Sequence, residues 1–182
     1  MRIFLLPLAL VIAQPVYAQA LSDNPEMTRI FNDDQDIRKT GLKGLDVNAV
    51  LKADTERREA TRALLDTGKL TTGTDFSQAA FIFQHGHTPA DYLLAHSLAI
   101  AAAAKGRTDA AWIAAASLDR YLDSIKQPQV FGTQFQLKDK GPVTQEPYDR
   151  TVVSDRLRAI MGVPPLAEQE KRRQSLEKER GK

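Results

Sequence analysis

His96 stands inside the most apolar stretch of the chain, in T-P-A-D-Y-L-L-A-H-S-L-A-I-A-A-A-A-K-G. A histidine in that setting is either a satisfied core residue or a base with a partner nearby. Candidates for that partner are close in sequence. Gln84, His85 and His87 precede it, and Asp119 and Arg120 follow on a second alanine-rich segment. A hairpin turning at Gly106-Arg107 sets His96 about ten residues before the turn and Asp119 about twelve after it, at similar height. An Asp119–His96 contact would fix the imidazole tautomer and raise its basicity, as a general base requires. His85 is the second candidate base, and Asp54 the second candidate orienting carboxylate.

Two further pairs carry charge where charge is unexpected. Asp34 and Arg38 share a stripe with Met27, Ile30 and Phe31. Asp54 and Arg58 share one with Val47, Val50, Leu51, Thr61 and Leu65. In each, a carboxylate and an arginine sit at i,i+4 on the face that should meet the core. Charges are costly there unless paired and hydrogen-bonded. Each pair reads either as a salt bridge at the edge of the core or as groups delivered to a shared polar cleft.

Other chemistries find little support. His85-Gly86-His87 with His96 could supply three imidazoles to a metal. Gly86, however, looks like a helix stop rather than part of a strand, and no His-Glu-x-x-His is present, so no metal and no cofactor are expected. Ser97 and Ser117 are helix-interior, and there is no G-x-S-x-G. Neither common phosphate-cradling glycine loop occurs. The chain has no Cys, which removes disulfides and thiolate metal sites. The net charge is +2. Arg2 supplies one positive charge, and residues 168–182, with six basic and four acidic side chains, supply two. The remaining body is near −1, which argues against nucleic acid as a partner.

The elements that must position these residues are helices. Asn24 caps a helix that begins at Pro25, and Gly41 and Gly44 end it. Asp46 caps the next, which Gly68 ends. Thr74 or Asp75 starts a short third helix, stopped at Gly86. Thr88, Pro89 and Asp91 start the fourth, which is apolar all round except for His96 and Ser97 and is therefore expected to be buried. A fifth starts at Thr108 or Asp109 and runs to about Ile125. The two alanine-rich helices should pack as a tight antiparallel hairpin. Residues 126–151 form a long loop. Its first part, through Gln134, reads as ordered, and residues 138–147 read as mobile. A last short helix over 154–161 ends at Gly162, before Pro164-Pro165.

Both ends are expected outside the folded unit. Residues 1–18 carry Arg2, an apolar run and Val16-Tyr17-Ala18, the pattern of a secretory signal peptide. The run is too short to span a bilayer. Residues 166–182 alternate charge and read as a solvated tail. The expectation is thus one all-α domain over residues 19–165, of about six helices around a central hairpin. It would be exported to the periplasm or beyond, with no membrane-spanning segment after cleavage.

Asp34-Gln35-x-x-Arg38, Asp54 with Arg58, Gln84-His85, Asp119-Arg120 and Gln129-x-Phe-Gly-Thr133-Gln134 occur in that order. Together they resemble a bacterial domain family of unknown function whose members carry D-Q-x-x-R, Q-H, D-R and Q-x-[YF]-G-T-Q at similar intervals. The resemblance covers residues 33–134, and Gly-Thr-Gln is its most specific piece. Arg58 departs from it, since an Asn is expected nearby. The A-H-x-L-A helix around His96 and the Gly162-Val-Pro-Pro165 end are similar to a related subgroup. The resemblance implies a helical domain whose polar residues gather in one place, and it brings no reaction.

Two functions follow from these residues. One is a non-catalytic binding or scaffold domain, for an unidentified small molecule or protein, in which the polar groups form a buried network. The other is a hydrolase-like or lyase-like enzyme. In that case His96 or His85 is the base, Asp119 or Asp54 orients it, Arg38, Arg58 or Arg120 stabilises an anion, and Gln84 and Gln134 position substrate. The enzyme reading requires Asp34, Asp54, His85, Asp119 and Gln134 to line one pocket.

Overall fold

Asn24 accepts from the amides of Glu26 (2.9 Å) and Met27 (3.1 Å) through its side chain, and Pro25 follows at the first helical position. That start gives α1, Pro25–Lys39. A computed structural model describes residues 22–39, 41, 44–137 and 141–180. The expected signal peptide and its cleavage point lie outside the described residues. Among the described residues there are seven α-helices and no strand, only two isolated β-bridges. After α1 come α2 (Val47–Asp66), α3 (Gly73–Phe83), α4 (Pro89–Ala104), a 3-10 turn (Thr108–Ala110), α5 (Ala111–Ser124), α6 (Asp155–Ile160) and α7 (Leu166–Arg180). They form one compact domain.

Asp46 caps α2 and Thr88 caps α4, the latter in a reciprocal box with Asp91. Helix α3 begins earlier than the sequence suggested. Thr72 and Asp75 make a second reciprocal box, so Gly73 rather than Thr74 is the first helical residue. Asp75 is fully buried and also accepts from the amides of Asn24 (2.7 Å) and Thr71 (2.9 Å). One carboxylate therefore joins the start of α1 to the start of α3.

The alanine-rich helices α4 and α5 pack against each other, and α3 packs against α4. Ala95, Ala99, Ala102, Ala114 and Ala115 are buried at these contacts, where only small side chains let the axes approach. Met27, Ile30, Ile82, Phe83, Leu98 and Ile113 complete the main core. The expectation that α4 is buried all round does not hold. Leu93 is 43% exposed and Ile100 51%, because α3 and α5 cover only part of its circumference.

A second, smaller core holds Ala115, Phe131, Val153 and Val163. It forms where the long loop and the C-terminal helices fold back onto α5. Of residues 138–147, expected to be mobile, 138–140 lie outside the described residues and 141–147 are tied down in this region. Val143 and Gln145 are buried. Thr144 pairs with Gln136 in a bridge, and the Val143 amide donates to Glu177. The charged segment after residue 165 is helical as α7. Most of its charges face solvent, but Gln169 is buried and donates to the carbonyls of Phe131 (2.9 Å) and Pro164 (2.8 Å). Gln169 docks the start of the helix, and farther along Arg173 donates to the Val143 carbonyl (3.1 Å) beside the Glu177 contact.

Candidate functional site

Helices α1 and α2 bring their charged stripes together at the end of α3. Arg38 Nη1 meets Asp34 Oδ1 at 2.7 Å, the expected i,i+4 pair. Arg38 Nη2 donates to both oxygens of Asp54 at 3.0 Å. Asp54 also accepts from Arg57 rather than from Arg58. Arg57 Nε is 3.4 Å from Asp34. Two buried carboxylates and two arginines thus form a closed ring linking α1 to α2. Gln35 Nε2 donates to Asp34 at 2.9 Å from the rim.

The electrostatics of Asp54 follow from this ring. Burial raises its carboxyl pKa, but the hydrogen bonds and charges of Arg38 and Arg57 outweigh that and hold it below the ordinary aspartate value.

His85 sits on the ring. Arg38 Nε donates to His85 Nε2 at 3.1 Å, so that nitrogen presents its lone pair. The proton then belongs on Nδ1, which faces Asp34 at 3.3 Å. Both ring nitrogens are engaged. A general base needs a free lone pair within reach of substrate, and here that lone pair is held by a guanidinium.

The C-terminal end of α3 has its own caps. The carbonyls of Gln84, His85 and Gly86 accept from Arg120 Nη1 (3.3 Å), Arg58 Nη1 (3.2 Å) and the Tyr92 hydroxyl (2.9 Å). These are orphan acceptors at the negative end of a helix, where cations are favoured. Arg58 therefore leaves Asp54 for a backbone carbonyl, and its Nη2 rests on Thr55 Oγ1 at 3.1 Å. Gly86 is required here, since a Cβ would lie 2.3 Å from that of Asp91.

His96 and Asp119 do not meet. His96 Nδ1 is 2.8 Å from the carbonyl of Ala114, a strut between α4 and α5. Asp119 is fully buried and turned to the other side of α5. Its Oδ1 accepts from the amides of Val130 (2.8 Å) and Phe131 (3.0 Å). Its Oδ2 accepts from the amide (2.9 Å) and hydroxyl (2.8 Å) of Thr133. Asp119 and Arg120 are neighbours in sequence, yet about 100° apart around the helix they serve different places.

The Gly-Thr-Gln loop closes on Asp119 with further bonds. Gln129 Oε1 accepts from the Gln134 amide, and Gln129 Nε2 donates to the Gln134 carbonyl, both at 3.0 Å. Gln134 Nε2 donates to Thr133 Oγ1 (2.9 Å) and to Ala116 O (3.3 Å). Gly132 has φ +80° and lies under Tyr148 and Gln169; a Cβ there would stand 2.1 Å from Gln169 Oε1. Tyr148 donates to Phe131 O at 3.0 Å and accepts from the buried Arg158 at 3.2 Å. Gln145, Tyr148, Arg158 and Gln169 were not singled out in the sequence. They lie in aperiodic or charge-rich stretches that give no pattern for a buried polar residue.

The predicted site residues thus fall into two clusters. Asp34, Gln35, Arg38, Asp54, Arg58, Gln84, His85 and Arg120 gather around the end of α3. Asp119, Thr133 and Gln134 form the loop clasp, and His96 stands apart from both. They do not share one of the larger clefts. One cleft, of about 410 Å³, is lined by Trp112, Phe135, Val163, Pro164 and Arg172 with the loop residues Gly132 and Thr133. Another of about 310 Å³ is lined by Arg58, Glu59, Arg62 and Asp91 among others. Among the described residues no group of three or more His, Asp or Glu side chains is placed to hold a metal ion, and no helix is long and apolar enough to cross a membrane.

Comparison of the chain with protein-family models, with curated proteins and with solved structures finds no match.

Proposed function

We propose that this chain is an exported, non-catalytic helical binding or scaffold domain, held in shape by two buried polar networks. The observation that carries the reading is the engagement of its candidate acid–base groups. His85 has one nitrogen on Arg38 and the other on Asp34. Both oxygens of Asp119 are taken up by loop donors. Hydrogen-bonded networks of this kind rigidify a fold and specify one arrangement of its helices. The enzyme alternative needs a histidine with a free lone pair beside an open pocket, and neither His85 nor His96 is placed in the large cleft. Export rests on the signal-peptide pattern of residues 1–18, and family membership on the order of the quoted motifs.

Carbethoxylation of histidine tests this directly. The reagent attacks an unprotonated, reachable ring nitrogen, and modified peptides are read by mass spectrometry. Exposed His87 should react quickly, and His85 should react only after denaturation. Native-state modification of His85 at the rate of His87 would overturn the network reading and restore the general-base one.

A further inference from the structure

The cleft of about 410 Å³ between α5, the Gly-Thr-Gln loop and the start of α7 is walled mainly by Trp112, Phe135, Val163 and Pro164. Trp112 is 42% exposed, and Phe81 stacks on it with ring centroids 6.3 Å apart, which fixes the plane of the indole. An exposed tryptophan braced by a second ring is a ready surface for an apolar group. A concave, mostly apolar site of this size with a few polar groups is the usual form of a small-molecule site.

The polar groups of the wall are of two kinds. Thr133 Oγ1 donates to Asp119 and accepts from Gln134 Nε2. Gln169 Nε2 donates to two carbonyls, and its Oε1 accepts from Gln145 Nε2 at 3.2 Å. Both residues are engaged by the protein. Glu168 and Arg172, the two charged residues of the lining, are not. They stand at i,i+4 on α7, the spacing at which a glutamate and an arginine ordinarily pair. Here they do not. Glu168 has no ion pair among the described residues, and Arg172 reaches Glu179 instead, at 3.6 Å between exposed side chains. Arg173 shows the contrast, holding Glu170 with two bonds of 2.8 Å. A negative and a positive group thus border one apolar cleft, separated by about 6 Å of helix rise and unpaired with each other.

That arrangement complements a zwitterion with an apolar arm. The ammonium of an α-amino acid would lie on the Glu168 carboxylate. Its carboxylate would take the fork of Arg172, and its side chain would enter between Trp112 and Phe135. The exposed Arg172–Glu179 contact opposes this little. A ligand with a single charge would satisfy one of the two groups and be repelled by the other. We propose that this cleft binds a free α-amino acid with a large apolar side chain, held by Glu168 and Arg172 at its charged end. The inference deepens the binding-domain reading and rests on it, because the ligand is held there and not transformed.

Trp112 is the chain's single tryptophan, so its fluorescence reports on this cleft. L-Phenylalanine is titrated into the full chain. Glycine (no apolar arm), phenethylamine (no carboxylate) and phenylpropionate (no ammonium) are parallel arms at matched ionic strength. Phenylalanine should give a saturable change, and each other compound should bind at least about tenfold more weakly, since each lacks one contact. Glu168→Gln and Arg172→Gln, both at exposed positions, should each weaken phenylalanine about tenfold. Glu168→Gln should leave phenylpropionate no weaker, an effect that a general loosening of α7 would not give. No saturation up to about 10 mM, phenethylamine or phenylpropionate binding as tightly as phenylalanine, or unchanged phenylalanine affinity in either variant would overturn the proposal. Native-state reactivity of His85 would remove the non-catalytic reading and leave this titration standing. A failed titration leaves the two networks intact, so the two failures are separable.

Discussion

Asp119→Asn is the sharpest perturbation available in this fold. The change keeps shape and volume but replaces one acceptor oxygen with a donor NH2. In either orientation, that NH2 faces at least one backbone donor. One orientation opposes it to the amides of Val130 and Phe131; the other opposes it to the amide of Thr133, whose hydroxyl can turn to accept from it. Hydrogen bonds to a charged group contribute about 1.5–3 kcal/mol each, without strict additivity. One or two are lost outright, depending on the orientation, and the others lose their charge assistance. A destabilisation of about 3–5 kcal/mol follows, the range seen when a buried pair loses one partner. In a domain of this size each kcal/mol lowers the melting temperature by about 2–4 °C, so a drop of about 6–20 °C is expected. Urea unfolding followed by circular dichroism measures the free energy. Hydrogen exchange at the three loop amides locates it. A loss below about 1 kcal/mol, with those amides still protected, would refute the view that Asp119 holds the loop.

The remaining predictions concern acid and export. Burial alone would raise the Asp54 pKa, but Arg38 and Arg57 lower it below its ordinary value of 3.8. A depressed folded-state pKa contributes stability that is present above 3.8 and lost as pH falls through the folded value. Asp54→Asn should therefore flatten the acid limb of the stability profile, and an unchanged limb in urea titrations below pH 4 would count against the ring. Expressed in a Gram-negative host, the chain should be recovered from the periplasm with Gln19 as its first residue by intact mass. Recovery from the cytosol with Met1 in place would remove the export reading.

Much of the helix layout was legible because its signals are local. Asn24-Pro25, Asp46 and Thr88-Pro89 act within one turn, and the structure starts helices at each. The Asp34–Arg38 pair was equally visible, since i,i+4 spacing is enough to place it. The Asp119–His96 contact failed for a different reason. Counting residues from a turn gives height along a helix but not the direction in which a side chain points. Asp54 chose Arg57 over Arg58 because the end of α3 offered Arg58 a carbonyl, and nothing in α2 announces that neighbour. The sequence marks Asp75 as a helix start; its bonds from the Thr71 and Thr72 amides are local, and only the one from the Asn24 amide depends on where α1 begins. Gln145, Tyr148 and Gln169 acquire partners only once the loop and α7 fold onto α5, so no short stretch of sequence contains their reason for being buried.

Helix α5 carries Asp119 and Arg120 on adjacent residues, one gripping the loop and the other reaching the end of α3. A rigid rod with two handles a third of a turn apart behaves as an axle. A small roll of α5 that shifted Arg120 against the end of α3 would swing Asp119 by the same angle and drag residues 130–133 with it. Of these, Gly132 and Thr133 form part of the wall beside Trp112. A disturbance at the end of α3 would then register as a change of shape at the loop, with no lid or hinge required.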